Sequence, residues 1–463
     1  MWPLTPSVDS AGRRVRAHLA TFHAAELAVL PPPVYVPQKW DLSRTFQDAA
    51  LALKRARATP RTLEIRCVTT RTDVMAARRY RLRSRRETFD EHELAARPAR
   101  ARTTVLLIAL LFLVSKLVIA AMTYGTNDVS YWIDFARGVG LKGPVGVYGI
   151  DFRHAVYNHP PLVGYFLGAA NALTNIGIPI NFTIRAVSST ADVASAVLVF
   201  ELLRTRRSLT VATLSGILVA ASPVLFLVSG FHGNTDPIFA MLVLLSCFLL
   251  VNKRMDLIGG GVLALALGIK LVPVVVLPTL FVYLLRRDRR GLVRAVVGFT
   301  AVFLVSWGPA LLQEWQPLMQ NVIGYSGISR RQWGLVQLGN WATNQDMINF
   351  LTGPGKMLSV AACALLPAAL LWRRPDRVLE ALGLSLVGLL VLSPAFGVQY
   401  LVWALAAAFL VDFWGAIAYN ILGGLLLFNI YDDWSDGIPW GVANGEPFTA
   451  GHPCRSGAVS RPW

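Results

Sequence analysis

The sequence predicts an all-α polytopic membrane protein, because of its composition and the placement of its charges. Of 463 residues, 54% are hydrophobic and only 15% are charged, and the apolar residues form long blocks typical of membrane-spanning helices. Short basic clusters separate these blocks. The chain has a formal net charge of +17, and a strongly positive charge is also typical of nucleic-acid-binding proteins. Basic clusters that flank apolar spans follow the positive-inside rule, however, so we expect membrane lipid around the chain and no nucleic-acid partner.

Residues 1–102 are expected to form a basic, partly disordered segment on the cytoplasmic side. This segment holds about twenty Lys and Arg residues against about ten acids, and it has no apolar core of a secretory signal peptide. It could be attracted to anionic lipid headgroups, and we assign no chemistry to it.

Residues 103–430 are predicted to form the membrane-embedded domain, with about 11–12 transmembrane or re-entrant helices. Two longer loops, 124–159 and 313–355, are expected on the outer face, as is a polar C-terminal tail, 431–463. The basic flank of the first span places that span's N-terminus in the cytoplasm. The predicted spans are 103–122, 185–203, 209–228, 237–251, 257–269, 272–285, 292–312, 357–372, 379–392, 399–410 and 416–430.

Two parts of this topology follow from the basic clusters. Residues 257–285 fit a hairpin that turns at its outer end near Lys270, since both flanks are basic. Residues 160–175 are apolar enough to cross the membrane, but a crossing there would place the cluster 204–207 outside. We therefore expect residues 160–175 to dip into the outer interface or to lie along it.

The first candidate site residue is Asp128, a few residues after the first span, where a carboxylate can face water at the membrane surface and act as a base. Asp128, Trp132 and Phe135 have helical spacing, which predicts a short amphipathic helix that buries the aromatic side chains. The alternative interpretation is that Asn127 and Asp128 only cap a surface helix.

Inserting an ionisable side chain at the bilayer centre costs about 2.5–3.5 kcal/mol, so each such residue in or near a span requires a structural or functional explanation. His232 and Asp236 share a predicted outer turn, although Asp236 could simply cap the next helix. Lys270 could hold a phosphate or extend to the interface. Asp192, inside a span, is expected to pack against another helix.

Further polar residues are predicted on the outer side. Arg330 and Arg331 lie where the positive-inside rule disfavours them, with aromatic residues nearby, which suits a phosphate or sugar ligand. Gln399 enters a span from another outer junction. Together the outer residues indicate a cavity suited to transfer from a lipid-linked phosphorylated donor. They are Asp128, His159, His232, Asp236, Lys270, Arg330, Arg331 and Gln399.

The sequence indicates no metal site and no cofactor. The cysteines Cys67, Cys247, Cys363 and Cys454 are scattered without CxxC spacing, so we expect no metal site and no disulfide framework. Dinucleotide, Walker, HExxH and GxSxG motifs with suitable partners are also absent from the sequence.

The chain resembles the GT-C superfamily of integral membrane glycosyltransferases, most closely the bacterial polyprenyl-phosphate-mannose-dependent mannosyltransferases. The resemblance covers roughly residues 103–430. The motifs that carry it are Asn127-Asp128, Asn158-His159-Pro160-Pro161-Leu162, the run 231–236, the run 266–273 and the run 393–403. The family usually has a paired acidic motif in the first outer loop, and here Asn127 replaces one member. Asp128 is then the carried-over base, and any metal requirement is open.

The resemblance implies a GT-C-like bundle in the cell membrane, with an outward-facing site that transfers mannose with inversion. The donor would be decaprenyl- or dolichyl-phosphate-mannose, and the acceptor a glycolipid, lipoglycan or other lipid-linked molecule. Asp128 would take the acceptor proton, and Lys270 with Arg330 or Arg331 would stabilise the departing phosphate. The implied substrate contacts are His159, His232, Asp236 and Gln399.

Two other functional classes fit parts of the pattern. A polyprenol or lipid flippase or transporter would also need an amphipathic cavity and outward cations, but the sequence shows no internal symmetry of the kind common in transporters. A non-catalytic scaffold is favoured only by Asn127 in place of the second acid. Within glycosyl transfer, arabinose or another pentose is the alternative to mannose.

Overall fold

The computed structural model describes residues 71–153, 155–325, 333–435, 437, 440 and 442–443, with side chains from residue 96 to residue 440. The chain divides into two compact units, Met1–Ser84 and Arg85–Trp463. In the first unit the described residues, 71–84, are helical. The candidate site lies entirely in the second unit.

The described chain is almost entirely helical. Its α-helices are α1 (Arg71–Met122), α2 (Asp128–Gly146), α3 (Pro161–Thr174), α4 (Ile180–Leu203), α5 (Leu209–Ala220), α6 (Pro223–Leu225), α7 (Asp236–Cys247), α8 (Asp256–Ile269), α9 (Leu277–Arg287), α10 (Arg289–Gln313), α11 (Trp315–Leu318), α12 (Val336–Trp341), α13 (Gln345–Thr352), α14 (Pro354–Arg373), α15 (Val378–Val391), α16 (Leu401–Val411) and α17 (Phe413–Trp434). Short π-helical segments continue three of these helices, at Phe226–His232, Phe248–Lys253 and Met319–Ile323. Single turns of 3₁₀-helix lie at Val147–Gly149, Val272–Val276 and Val398–Tyr400. Two short strands, β1 (Gly125–Thr126) and β2 (Val442–Ala443), pair in parallel.

Seven helices in the described part of the chain are long and apolar enough to cross a membrane. They are Ala96–Met122, Ile180–Leu203, Leu209–His232, Asp236–Lys253, Arg289–Gln313, Pro354–Arg373 and Phe413–Trp434. Shorter apolar helices lie at Asp256–Ile269, Val378–Val391 and Val398–Val411. The predicted fold class, an all-α polytopic membrane protein, is therefore confirmed.

Small residues allow a very close contact between α8 and α10. A Cβ added to Gly260 would collide with the carbonyl oxygen of Ala295, and one added to Gly298 would collide with that of Leu257. Backbones approach this closely in membrane proteins where glycine removes the side chain, because van der Waals packing replaces the hydrophobic effect between helices in lipid.

Asp192 is buried by helix packing, as the sequence predicts. It is 2% exposed, and its Oδ2 lies 2.7 Å from Nζ of Lys116, which is 1% exposed. The lysine lies in the first membrane span and the aspartate in α4. The pair ties these two helices together inside the bundle and does not line the candidate site.

Charged pairs also join the helices at the end of the bundle where α4 finishes and α8 begins. Glu201 bonds to Arg102 and Arg204 at 2.5 and 2.7 Å, and Asp256 bonds to Arg287 at 2.5 Å. The residues that form the candidate site lie instead after the C-terminal ends of α1 and α8 and at the start of α7. Arginine–carboxylate pairs therefore lie at one end of the bundle, and the candidate site lies at the other.

The structure adds detail to four parts of the sequence prediction. The two predicted loops contain helices, namely α2 in the first and α11 to α13 in the second. Helix α3 has 14 residues, roughly 21 Å, which is short of the ~30 Å hydrocarbon core. The break after α8 falls at Lys270, whose backbone is extended, as the hairpin prediction requires. Helix α17 runs to Trp434, so Tyr431, expected in the polar tail, is helical and fully buried.

Candidate functional site

Asp128 begins α2 and is positioned by a short connection that contacts the 231–233 segment. Thr126 Oγ1 donates to the carbonyl oxygen of His232 at 3.1 Å. Trp132, one turn into α2, donates its indole N–H to the carbonyl oxygen of Gly233 at 2.9 Å. Gly233 has a φ of 82°, a left-handed conformation that favours glycine. The backbone turn after His232 therefore fixes both ends of the first turn of α2.

The carboxylate of Asp128 is held by two side chains. His232 Nε2 lies 3.0 Å from Asp128 Oδ2, and the amide of Gln399 donates to the same oxygen at 3.4 Å. His232 is 2% exposed, whereas the side chain of Asp128 remains 38% exposed. Asp128 thus has one firmly held oxygen and an accessible face. The Asp128 side chain hydrogen-bonds to His232 and Gln399. The side chain of Asn127, at the N-cap position, makes no capping hydrogen bond to α2.

Tyr431 completes a chain of three side chains behind Asp128. Its hydroxyl lies 2.9 Å from His232 Nδ1, and the tyrosine is fully buried. Since a carboxylate only accepts hydrogen bonds, His232 Nε2 carries the proton in this contact. In the neutral imidazole, Nδ1 then accepts from the Tyr431 hydroxyl. The Asp128 carboxylate therefore sets the tautomer, and the Tyr431 hydroxyl satisfies the second ring nitrogen and holds the imidazole in place.

The pKa of Asp128 reflects two opposing effects. Burial raises it, but the hydrogen bond from His232 and the charge of Lys270 bring the pKa below its ordinary value. The carboxylate is consequently ionised at neutral pH and able to accept a proton.

Asp236 and Lys270 form a second pair next to the first. Asp236 lies at the start of α7 and is fully buried. Its Oδ1 is 2.5 Å from Lys270 Nζ, and its Oδ2 accepts the indole N–H of Trp403 at 2.7 Å. The Lys270 ammonium also lies 4.4 Å from the ring centre of Tyr400 and 5.1 Å from that of Trp403. A buried carboxylate and two aromatic faces thus fix the position of this cation.

His159 packs against the aromatic side of α2. Its ring stacks on Trp132 with 4.4 Å between ring centres, and the Tyr148 hydroxyl donates to its backbone oxygen at 2.6 Å. Burial, and then the charge of Lys270, lower the pKa of His159 to about 3, against a smaller opposite effect of Asp128. The imidazole is therefore neutral at physiological pH.

A cavity of about 610 Å³ opens beside these pairs. Its polar lining includes His159 and Lys270, and the charge of Lys270 acts electrostatically on Asp128. Its other polar residues include Asn158, Tyr325 and Lys356, while much of the remaining wall consists of valine and leucine side chains. The cavity can accommodate a ligand with one charged end and a long apolar part.

Six of the eight predicted site residues converge in this region: Asp128, His159, His232, Asp236, Lys270 and Gln399. His232 and Asp236 are buried behind Asp128 and Lys270, respectively, and contact those side chains. Arg330 and Arg331 lie outside the described residues, so their predicted phosphate contacts stay a prediction.

Sequence reasoning missed Tyr431 and Lys356. The sequence predicts Tyr431 at the start of a polar tail, and nothing local in the sequence connects it to His232, 199 positions away. Lys356 immediately precedes a predicted span, and it could have been noticed as a lysine in the first turn of a helix, where the dipole disfavours a cation.

Comparison with known proteins supports a glycosyl-transfer chemistry for this fold. The family model for glycosyltransferase family 87 matches residues 159–394, just over half of the chain. The matched range includes His159, His232, Asp236 and Lys270, whereas Asp128 and Gln399 lie outside it. No curated protein matches the chain. The chain belongs to glycosyltransferase family 87, a GT-C-like family of integral membrane glycosyltransferases.

Proposed function

We propose that this protein transfers a mannosyl residue, with inversion, from a polyprenyl-phosphate-mannose donor to a glycolipid or lipoglycan acceptor. The observation that carries the proposal is the placement of Asp128. Its ionised carboxylate is held at 3.0 Å by His232, next to a largely apolar cavity that Lys270 lines. A base beside a cation and an apolar cavity suits a donor that is both a phosphate and a lipid.

In the proposed reaction Asp128 is the general base. The acceptor hydroxyl gives its proton to Asp128 as the hydroxyl oxygen forms a bond to the anomeric carbon. The bond from that carbon to the phosphate oxygen breaks, and polyprenyl phosphate leaves with the electron pair. Among the described residues, His232 and Gln399 both bond to Oδ2 of Asp128, which leaves Oδ1 for the acceptor.

Lys270 is proposed to stabilise the negative charge that grows on the departing phosphate oxygen. Asp236 and the two aromatic rings hold its ammonium in place before the reaction, so little reorganisation is needed when charge develops. Arg330 and Arg331 remain proposed contributors to the same phosphate contact. His159 is proposed to contact the substrate as a neutral imidazole.

We propose that the site faces the outer side of the cell membrane and that the N-terminal segment lies in the cytoplasm. Supporting this orientation, the basic clusters of residues 204–207 and 286–290 lie at the end of the bundle away from Asp128. A lipid-linked donor on the outer leaflet would then reach the cavity from the bilayer.

The test is transfer of radiolabelled mannose from polyprenyl-phosphate-mannose into lipid extract by membranes that carry the protein. Asp128→Asn should nearly abolish transfer while donor binding persists, since the amide cannot accept the proton. Asp134→Asn is the matched control, because Asp134 lies on the same helix and its side chain is 47% exposed. Full activity of Asp128→Asn would exclude it as the base. Transfer only from another polyprenyl-linked sugar would change the donor, and transfer from none would favour a transporter.

A further inference from the structure

We propose that Lys356 binds the phosphate of a lipid-linked ligand and that the apolar wall beside it receives the isoprenoid chain. The inference deepens the proposed function, because it names the cation that recognises the donor phosphate. It concerns binding alone and can be tested without sugar transfer.

Lys356 occupies an unfavourable position for a lysine that has only a structural role. It lies in the first turn of α14, where the helix dipole repels a cation. It is half-buried and lines the cavity. An anion bound at this place would interact favourably with the ammonium and with the positive end of the helix, which would offset that repulsion.

Tyr325 connects Lys356 to the catalytic side of the cavity. Lys356 Nζ donates to the backbone oxygen of Tyr325 at 3.3 Å. The Tyr325 side chain hydrogen-bonds Asn158 and acts electrostatically on Asp128, and burial raises the pKa of its phenol. Tyr325, Asn158 and Lys356 all line the cavity. A phosphate at Lys356 would therefore lie in the same cavity as the groups that surround the proposed base.

Lys270 alone does not give the cavity a net positive charge. Its Nζ lies 2.5 Å from the fully buried carboxylate of Asp236, so the two charges compensate each other. A phosphate beside this pair can still accept a hydrogen bond from the Lys270 ammonium, but the pair as a whole adds no net charge that attracts an anion into the cavity. Lys356 supplies a second positive charge to the same cavity, and this charge favours an anionic ligand.

The rest of the wall identifies the anion as part of a lipid. The apolar lining comes from the 3₁₀ turn after Lys270, from the segment before Tyr325 and from α14 and α15. It includes Leu271, Val272, Val275, Val322, Val360 and Leu389. A sugar nucleotide would place polar groups against these side chains, whereas a branched hydrocarbon chain would bury apolar surface there. A phosphate esterified to an isoprenoid matches both parts of the cavity.

The experiment measures equilibrium binding of decaprenyl phosphate and of decaprenol to the purified full-length protein in detergent. Lys356→Met should weaken decaprenyl phosphate binding by roughly ten- to a hundredfold, the effect of losing a hydrogen bond to a charged group. The same variant should bind decaprenol as the wild type does. Lys356→Arg, which keeps the charge, should stay within about threefold of the wild type.

Lys142→Met is the matched control, because Lys142 is exposed and does not line the cavity. Unchanged decaprenyl phosphate binding by Lys356→Met would overturn the inference. Equal losses for the phosphate and the alcohol would also overturn it, since they would indicate a general packing defect. Lys356-dependent binding without transfer of any sugar would support this inference while refuting the proposed function.

Discussion

The hydroxyl of Tyr431 lies 2.9 Å from Nδ1 of His232, and Nε2 of the same ring lies 3.0 Å from the carboxylate of Asp128. The three side chains come from α17, from the segment after α6 and from α2. Because the imidazole uses both nitrogens, the orientation of Asp128 depends on a tyrosine that is completely buried and cannot reach a substrate. Tyr431 is thus a positioning residue.

Tyr431→Phe should lower the rate of transfer at saturating donor by about tenfold, with the KM for the donor unchanged. The phenyl ring keeps the packing but leaves Nδ1 of His232 without its hydrogen bond, so the imidazole that donates to Asp128 is held less firmly. The measurement is a steady-state rate series with varied donor.

Tyr419→Phe is the control for this prediction. Tyr419 lies on the same helix, and its hydroxyl donates to the backbone oxygen of Leu401 at 2.6 Å. Its loss should leave the transfer rate close to that of the wild type. Equal rate losses in the two variants would mean that Tyr431 supports only the helix packing.

His159 should make the protein less stable in acid. Its folded-state pKa of about 3 is below the unfolded value near 6.5. Between these values the unfolded chain binds a proton that the folded chain does not, so stability falls as the pH drops below about 6.5. From pH 7.5 to pH 5 the loss should be about 1 kcal/mol, since the partly exposed ring is screened by water.

Thermal unfolding of the detergent-solubilised protein at pH 7.5 and pH 5 checks this effect. His159→Gln should show a smaller loss of Tm on acidification than the wild type, whatever its Tm at pH 7.5. The lowered pKa of Asp128 does not interfere, because a depressed carboxylate pKa removes stability only at more acidic pH. An identical pH dependence in both proteins would show that His159 titrates normally in the folded state.

Sequence reasoning located the acidic and basic residues at the ends of the spans because charge inside a bilayer is costly and therefore conspicuous. Asp128 and Lys270 stand out for this reason and Gln399 as an amide at an outer junction, and the structure brings the three to one region. The pairing of His232 with Asp128 spans 104 positions and depends on how the helices rotate against each other. Hydropathy carries no information on that rotation, so Tyr431 and the partners of each charge could not be predicted.

Lys270 should have two separable roles, one in binding and one in stability. Lys270→Met leaves the Asp236 carboxylate buried without its cation, which should destabilise the protein by about 3–5 kcal/mol. The double variant Lys270→Met with Asp236→Asn should recover most of this stability, because Trp403 can still donate to the amide oxygen. Transfer should remain at least about tenfold low in the double variant, since the phosphate has lost a cation.

Thermal unfolding and donor-saturation kinetics on the same three preparations separate the two roles. Recovery of both stability and transfer in the double variant would show that Lys270 only neutralises Asp236. That result would remove it from the proposed phosphate contact.

Unlike Lys270, the pair of Lys116 and Asp192 should contribute to stability alone and not to transfer. Both side chains are almost fully buried inside the bundle, and their 2.7 Å contact joins the first span to α4. Lys116→Met should cost about 3–5 kcal/mol, because the buried Asp192 carboxyl group is left without its cation away from water. Replacing both residues, as Lys116→Met with Asp192→Leu, should recover stability, since packed apolar side chains avoid the desolvation cost of the pair. Transfer per folded molecule should match the wild type in the double variant, as measured by rates normalised to the monodisperse fraction. A persistent loss of transfer there would connect this pair to the site and contradict a purely structural role.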